Sequence, residues 1–271
     1  MKGRVLIVAG SDSGGGAGIQ ADIKSVTALG GFAATAITAL TAQNTFGVHD
    51  IFPVDIGFIQ TQMRVVLKDI GTDSLKTGML HSPEVIDAVC AVLETEAVGI
   101  PVVVDPVMVA KGGASLLSTD AVATLRNRLL PLARVITPNI PEAEDILQWA
   151  PGTLQTIEDM KTAAESLKAL GSSAVLVKGG HMKGDDLFDV LLDDDGFYIF
   201  ETQRIDTTHT HGTGCTLASS IATGIAQGLA LPQAVGRAQA YVVAAIKGAP
   251  GFGGGHGPID HGHTVSAFEG I

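Results

Sequence analysis

The stretch His211-Gly212-Thr213-Gly214-Cys215-Thr216 carries the sharpest chemical signal in the chain. It runs straight into an apolar helical segment, so the backbone N–H groups of Thr213, Gly214 and Cys215 would point at one site, reinforced by the helix dipole. Such a cradle suits a phosphoryl group, and the motif holds no carboxylate to repel one. Cys215 at a helix start is expected to have a lowered pKa; a small packing cysteine is the alternative. A second glycine-rich stretch, "GSDSGGGAGIQAD" from Gly10 to Asp22, follows an apolar run. It has no Gly-Lys-Ser/Thr of a P-loop, it does not fit G-x-G-x-x-G in register, and no acidic residue ends the second strand to hold a ribose. A plain turn before a helix is one reading. Asp22, four residues past Gly18 on the same helix face, suits hydrogen bonding to a polar neutral ligand and suits a phosphate poorly.

Further polar residues sit where other apolar runs stop. "TAQNT" brings Gln43 and Asn44, whose amides offer a donor and an acceptor, as the edge of a heterocycle requires; capping the loop is the plain alternative. "VVVD" ends in Asp105, and "TPNIPEAE" brings Asn139 and Glu142. These oxygens could position Mg²⁺ and its waters, since that ion takes few direct protein ligands. Helix N-capping is the other role open to Asn139. Lys178 ends "AVLVK", within reach of a nucleotide phosphate.

The elements that must hold these residues are legible in the same rows. Apolar runs at residues 5–9, 34–40, 74–77, 102–105, 135–137 and 174–178 are continuous rather than alternating, which suits strands covered on both faces. Helical patterns fall between them at 58–70, 119–130 and 156–170. Thr156 with Asp159 resembles a capping pair, and Ser82-Pro83-Glu84 opens another helix. "DVLLDDDGFYIFETQRI" reads as an edge hairpin. Residues 216–229 and 234–247 close the chain as two apolar helices before a glycine-rich tail. No repeat or linker interrupts this alternation. The expectation is one α/β domain over residues 1–271, a mostly parallel central sheet covered by helices on both faces, with ligands beyond the carboxyl ends of its strands.

Composition narrows the function classes. A net charge of −11 and a pI near 5.0 argue against nucleic acid or an anionic membrane as main partner. Two cysteines make no disulfide framework, so a reducing cytoplasm is expected. No apolar stretch approaches the ~20 residues of a membrane span.

Six motifs in order, "AGSDSGGGAGIQADIKSVTALG", "ITALTAQNTFGV", "VVVDPVMVAKGG", "VITPNIPEAE", "VLVKGGH" and "HGTGCTLAS", resemble the hydroxymethylpyrimidine/phosphomethylpyrimidine kinases, the thiamine-pathway branch of the ribokinase-like family. The resemblance runs from residue 5 to Pro258. It implies a ribokinase-like fold and phosphorylation, with ATP and Mg²⁺, of 4-amino-5-hydroxymethyl-2-methylpyrimidine and then of its monophosphate. It further implies that Gly10, Ala17 and Asp22 line the pyrimidine pocket, that Gln43 reads the ring edge, and that Met79 and Val107 pack on the ring. Asp105, Asn139 and Glu142 would organise Mg-ATP, with Asp105 and Glu142 acting on the metal through water. Lys178 would contact the phosphates, and Gly212, Thr213, Gly214 and Cys215 would form the anion hole. A cytoplasmic homodimer is the family habit. Most of the wider superfamily carries aspartate where Cys215 stands, so the base role of that position is in question here. A pyridoxal/pyridoxine kinase or a dual-specificity enzyme is the alternative within the class. A non-catalytic pyrimidine sensor is the alternative outside it, and the phosphate machinery speaks against that one.

Overall fold

Val5, Ile7 and Ala9 point to one side of strand β1 (Arg4–Asp12), Leu6 and Val8 to the other, and all five are buried. Both faces of this strand are therefore roofed, and that is why the run is continuously apolar. The computed structural model describes residues 1–109, 113, 119–266 and 268–270. Residues 110–112, part of the motif after Asp105, lie outside them.

β1 pairs in parallel with β2 (Phe32–Asn44) on one side and β4 (Ser74–Thr77) on the other. Beyond β4 the parallel order continues through β5 (Val102–Val104), β6 (Val135–Ile136) and β7 (Val175–Val177). Antiparallel strands complete both edges: β3 (Gly47–Pro53) beside β2, and the hairpin β8 (Asp186–Asp193) and β9 (Gly196–Gln203) beside β7. The sheet has nine strands in the order β3-β2-β1-β4-β5-β6-β7-β8-β9. The two neighbours of β1 leave in opposite directions along the sheet, so a crevice opens at the carboxyl ends of β1 and β4.

Helices cover both faces. α1 (Gly18–Ala28), α7 (Thr213–Ala226) and α8 (Leu231–Lys247) contribute Ile19, Val26, Ile221, Ala222 and Val235 to the core that takes Val5 and Ile7. α2 (Ile56–Asp69), α3 (Pro83–Glu96), α5 (Ile140–Leu147) and α6 (Ile157–Lys168) supply Met63, Ile86, Ile146 and Met160 to the opposite core. Thr156 and Asp159 form the expected capping box, and Ser82 caps α3 with Pro83 at its first position. The helix expected over 119–130 differs. α4 (Thr119–Thr124) runs into a π turn at Leu125–Leu129 and a 3₁₀ turn at Leu130–Leu132, where Pro131 brings no N–H to an α-helical ladder. Strand β3 is an addition that the sequence pattern did not predict.

Candidate active site

The carboxyl ends of β1, β2, β4 and β5, the loops after β6 and β7, and the start of α7 enclose a cavity of about 850 Å³. Gly10, Ala17, Gln43, Met79, Asp105, Val107, Asn139, Glu142, Lys178, Gly212, Thr213, Gly214 and Cys215 all line it. Residues from seven separate segments, 205 positions apart at the extremes (Gly10 to Cys215), thus share one space.

At one end the Lys178 ammonium lies 3.0 Å from Asp105 Oδ1 and 3.9 Å from Glu142 Oε2. Thr137 Oγ1 donates to the same Asp105 oxygen at 3.1 Å. Burial raises the Glu142 carboxyl to about 7; Asp105 adds to the rise, and Lys178 and the Asn139 N–H oppose it. Lys178 is held above its ordinary value, because Asp105 and Glu142 outweigh the burial that would lower it. Asn139 is the N-cap of α5: its Oδ1 accepts the Glu142 N–H at 2.9 Å, and Glu142 Oε2 accepts the Asn139 N–H at 2.8 Å. The capping reading of Asn139 is thus realised, and of the three residues, all lining the cavity, Asp105 and Glu142 are the carboxylates.

The start of α7 forms the centre. Gly212 caps it in the left-handed conformation, φ 87°, with no side-chain cap. A Cβ at Gly212 would collide with the Gly16 carbonyl, so glycine is required where the two glycine-rich loops meet backbone to backbone. The first-turn amides of Gly214 and Cys215 have no helical carbonyl to bond. The Thr213 N–H is already directed at the Thr210 carbonyl at 3.4 Å, so the cradle rests chiefly on the next two amides.

The Cys215 pKa expectation is overturned. Burial pushes the thiol up to about 12; the nearby Lys76 charge pulls it down, and Asp22 and Asp105 push it further up. Enclosure outweighs the helix dipole here, so the side chain is a neutral thiol at pH 7.

Asp22 is the second correction. It is fully buried and does not line the cavity: both its oxygens lie 2.9 Å from Lys76 Nζ, and Ser219 Oγ donates to it at 2.6 Å. It holds the protein's own cation in place of a ligand. Lys76, fully buried inside β4, keeps its proton because Asp22 more than reverses the effect of burial.

Two functional candidates went unread in the sequence, Asp12 and His211. Asp12 accepts the N–H groups of Gly14, Gly16 and Ala17 at 2.8, 3.1 and 2.8 Å, and lies 2.8 Å from His211 Nε2. Burial alone would raise this carboxyl, but His211 and the backbone amides hold it below the usual range. These bonds fold the glycine-rich loop over Asp12 and join it to the α7 motif. A histidine directly before Gly-Thr-Gly-Cys was the available signal.

The family model described as phosphomethylpyrimidine kinase matches residues 12–260. The hydroxymethylpyrimidine/phosphomethylpyrimidine kinase of Bacillus subtilis is 44% identical over 95% of this chain and 94% of its own length. The thiamine biosynthesis bifunctional protein ThiED of Geobacter sulfurreducens is 52% identical over 96% of this chain, which spans about half (52%) of that longer relative. Among solved structures, phosphomethylpyrimidine kinase from Clostridium difficile superposes with TM-score 0.80 at 39% identity, over 90% of this chain and all of that one (100%). The ADP complex of Bacillus subtilis pyridoxal kinase gives TM-score 0.89 at 35% identity, over 97% of this chain and 98% of that one. The fold is the ribokinase-like α/β architecture of these kinases.

Proposed function

The chain belongs to the phosphomethylpyrimidine kinase family, and we propose that it phosphorylates 4-amino-5-hydroxymethyl-2-methylpyrimidine with ATP, and then the resulting monophosphate to the diphosphate, in thiamine biosynthesis. One observation carries this reading. A single cavity joins an amide-bearing acceptor end, Gln43, to a cation and carboxylate end, Lys178 with Asp105 and Glu142, across the amides that open α7.

In the first step the substrate hydroxyl oxygen bonds to the γ-phosphorus as the bond from that phosphorus to the ADP oxygen breaks. In the second, a phosphate oxygen of the monophosphate attacks. Transfer of this kind has a loose transition state, so the protein's work is positioning and charge stabilisation. Gln43, Met79 and Val107 hold the ring. The amides of Gly214 and Cys215 receive charge on the moving group, and Lys178 offsets charge on the nucleotide phosphates. The Cys215 thiol, its pKa raised by burial, is no base, so the hydroxyl proton passes to an oxygen of the transferred phosphoryl group. Cys215→Ala therefore slows the alcohol and monophosphate steps by similar factors in single-turnover measurements at saturating ATP. A loss of roughly 10²–10⁴ confined to the alcohol step would restore a base role. Asp105 and Glu142 suit Mg²⁺: two carboxylates facing a cavity leave coordination to phosphate oxygens and water. When bound, the ion neutralises phosphate charge.

We place the enzyme in the cytoplasm as a homodimer. Among the described residues no helix is long and apolar enough to cross a membrane. Leu40 and Phe52 pair across the outer strands and are both exposed, an apolar patch that supports self-association. One domain over the whole chain is the reading the continuous sheet supports. Pyridoxal as a further acceptor is the second reading, favoured by the likeness to solved pyridoxal kinases at 35–36% identity.

Gln43→Met tests the acceptor end, removing the amide while keeping side-chain length. An unmet hydrogen bond costs about 1–3 kcal/mol, so the KM for the pyrimidine rises roughly tenfold or more, while the KM for ATP holds. An unchanged pyrimidine KM places the ring elsewhere.

A further inference from the structure

Gln43 stands between two groups whose hydrogens are already committed. Its Nε2 lies 3.4 Å from His211 Nε2 and its Oε1 lies 3.2 Å from Thr41 Oγ1, and a half-turn of the amide exchanges the two atoms. Asp12, accepting three backbone N–H groups, is a carboxylate that can only accept. His211 Nε2, 2.8 Å from it, must therefore carry a hydrogen and has no lone pair left for another donor. An amide N–H facing that nitrogen meets N–H with N–H. On the other side, the single Thr41 hydroxyl hydrogen has two acceptors in reach, the Ser11 carbonyl at 3.0 Å and Gln43 Oε1 at 3.2 Å, and we assign it to the nearer carbonyl. The Thr41 oxygen can then only accept from Gln43, and an amide oxygen facing it meets acceptor with acceptor. Both conflicts vanish in the same orientation.

We propose that Asp12, His211 and Thr41 are positioning residues that fix the Gln43 amide with Oε1 toward His211 and Nε2 toward Thr41, and so set which ring edge the acceptor site takes. This rests on the cavity being the site of the pyrimidine alcohol. In the fixed orientation one Oε1 lone pair and one Nε2 hydrogen remain for a ligand. They complement an edge where an exocyclic amino donor lies beside a ring-nitrogen acceptor, the amino group on the His211 side. A 4-oxo ring reverses that pattern, with a carbonyl beside a ring N–H. It pairs with Gln43 only if the amide turns over against both neighbours.

The experiment compares kcat/KM for the 4-amino and 4-oxo forms of 5-hydroxymethyl-2-methylpyrimidine in the wild type, His211→Ala and Thr41→Val, with the KM for ATP measured in parallel. The wild type prefers the amino form by roughly tenfold or more, the factor expected for mispaired polar groups. Each variant frees the amide on one side, and the preference shrinks several-fold as the KM values of the two pyrimidines converge. The KM for ATP does not follow. His211 is buried against Asp12, and if His211→Ala does not fold, Thr41→Val alone decides. An undiminished preference in Thr41→Val, or a wild type that takes both forms equally, overturns the proposal while leaving the kinase reading intact. A wild type that phosphorylates neither pyrimidine instead removes the kinase reading, and the proposal with it.

Discussion

Lys178→Met lowers kcat/KM for ATP by roughly 10²–10³, the scale of losing one preorganised charge contact in an enclosed site. The ammonium stands 3.0 Å from Asp105 and 3.9 Å from Glu142, so without it the two carboxylates and the nucleotide phosphates lose the side-chain cation that offsets them. Like charges at such range raise the proton affinity of the carboxylates and repel the polyphosphate. Pyrimidine binding in the absence of nucleotide, read by calorimetry, stays close to wild type, because the ring contacts proposed for Gln43, Met79 and Val107 do not involve the Lys178 ammonium. A fall of less than tenfold for ATP would mean that Lys178 serves only to neutralise Asp105. Equal loss of pyrimidine binding would point to a collapsed cavity.

Lys76→Met has the largest effect expected on stability. Lys76 and Asp22 are both fully buried and paired at 2.9 Å, with Ser219 completing the shell of Asp22. Removing one partner of a buried pair strands the other charge and costs about 3–5 kcal/mol. In a chain of this size that is a fall in Tm of roughly 6–20 °C. Adding Asp22→Leu removes the stranded carboxylate and recovers most of the loss, since a well-packed apolar replacement of a whole buried pair is often neutral. Urea denaturation of the two variants checks both statements. A single variant that loses less than about 1 kcal/mol would show that Asp22 takes up a proton at little cost.

The same pair marks where sequence reading stopped. The alternation of apolar runs and helical patterns was enough to place β1 and β4, β1 most plainly because a strand roofed on both faces is apolar throughout. The edge hairpin β8–β9 was legible from an acidic turn between two strand-like runs. The motifs after those strands led to the cavity for the same reason: a doubly covered sheet presents its loops at one edge. Asp22 looked like a ligand-facing carboxylate because its partner is 54 residues away in β4. Lys76 itself carried a readable sign, a lysine in the four-residue strand Ser74–Thr77. The link of Asp12 to His211 spans 199 positions and follows from the packing of two loops, which no local pattern encodes. The cysteine was misjudged for a related reason. A helix start is visible in sequence, whereas the enclosure that keeps the thiol neutral belongs to the assembled site. β3 was missed because Gly47–Pro53 has no strict alternation and ends in proline, tolerable there because the strand lies at the sheet edge.

The most direct test of the central claim is the mass of the products formed from 4-amino-5-hydroxymethyl-2-methylpyrimidine, ATP and Mg²⁺ over time, with pyridoxal offered in a parallel reaction. The monophosphate appears first and is converted to the diphosphate, with two ADP formed for each diphosphate. Accumulation of the monophosphate with no diphosphate, or phosphorylation of pyridoxal and not of the pyrimidine, would contradict the account.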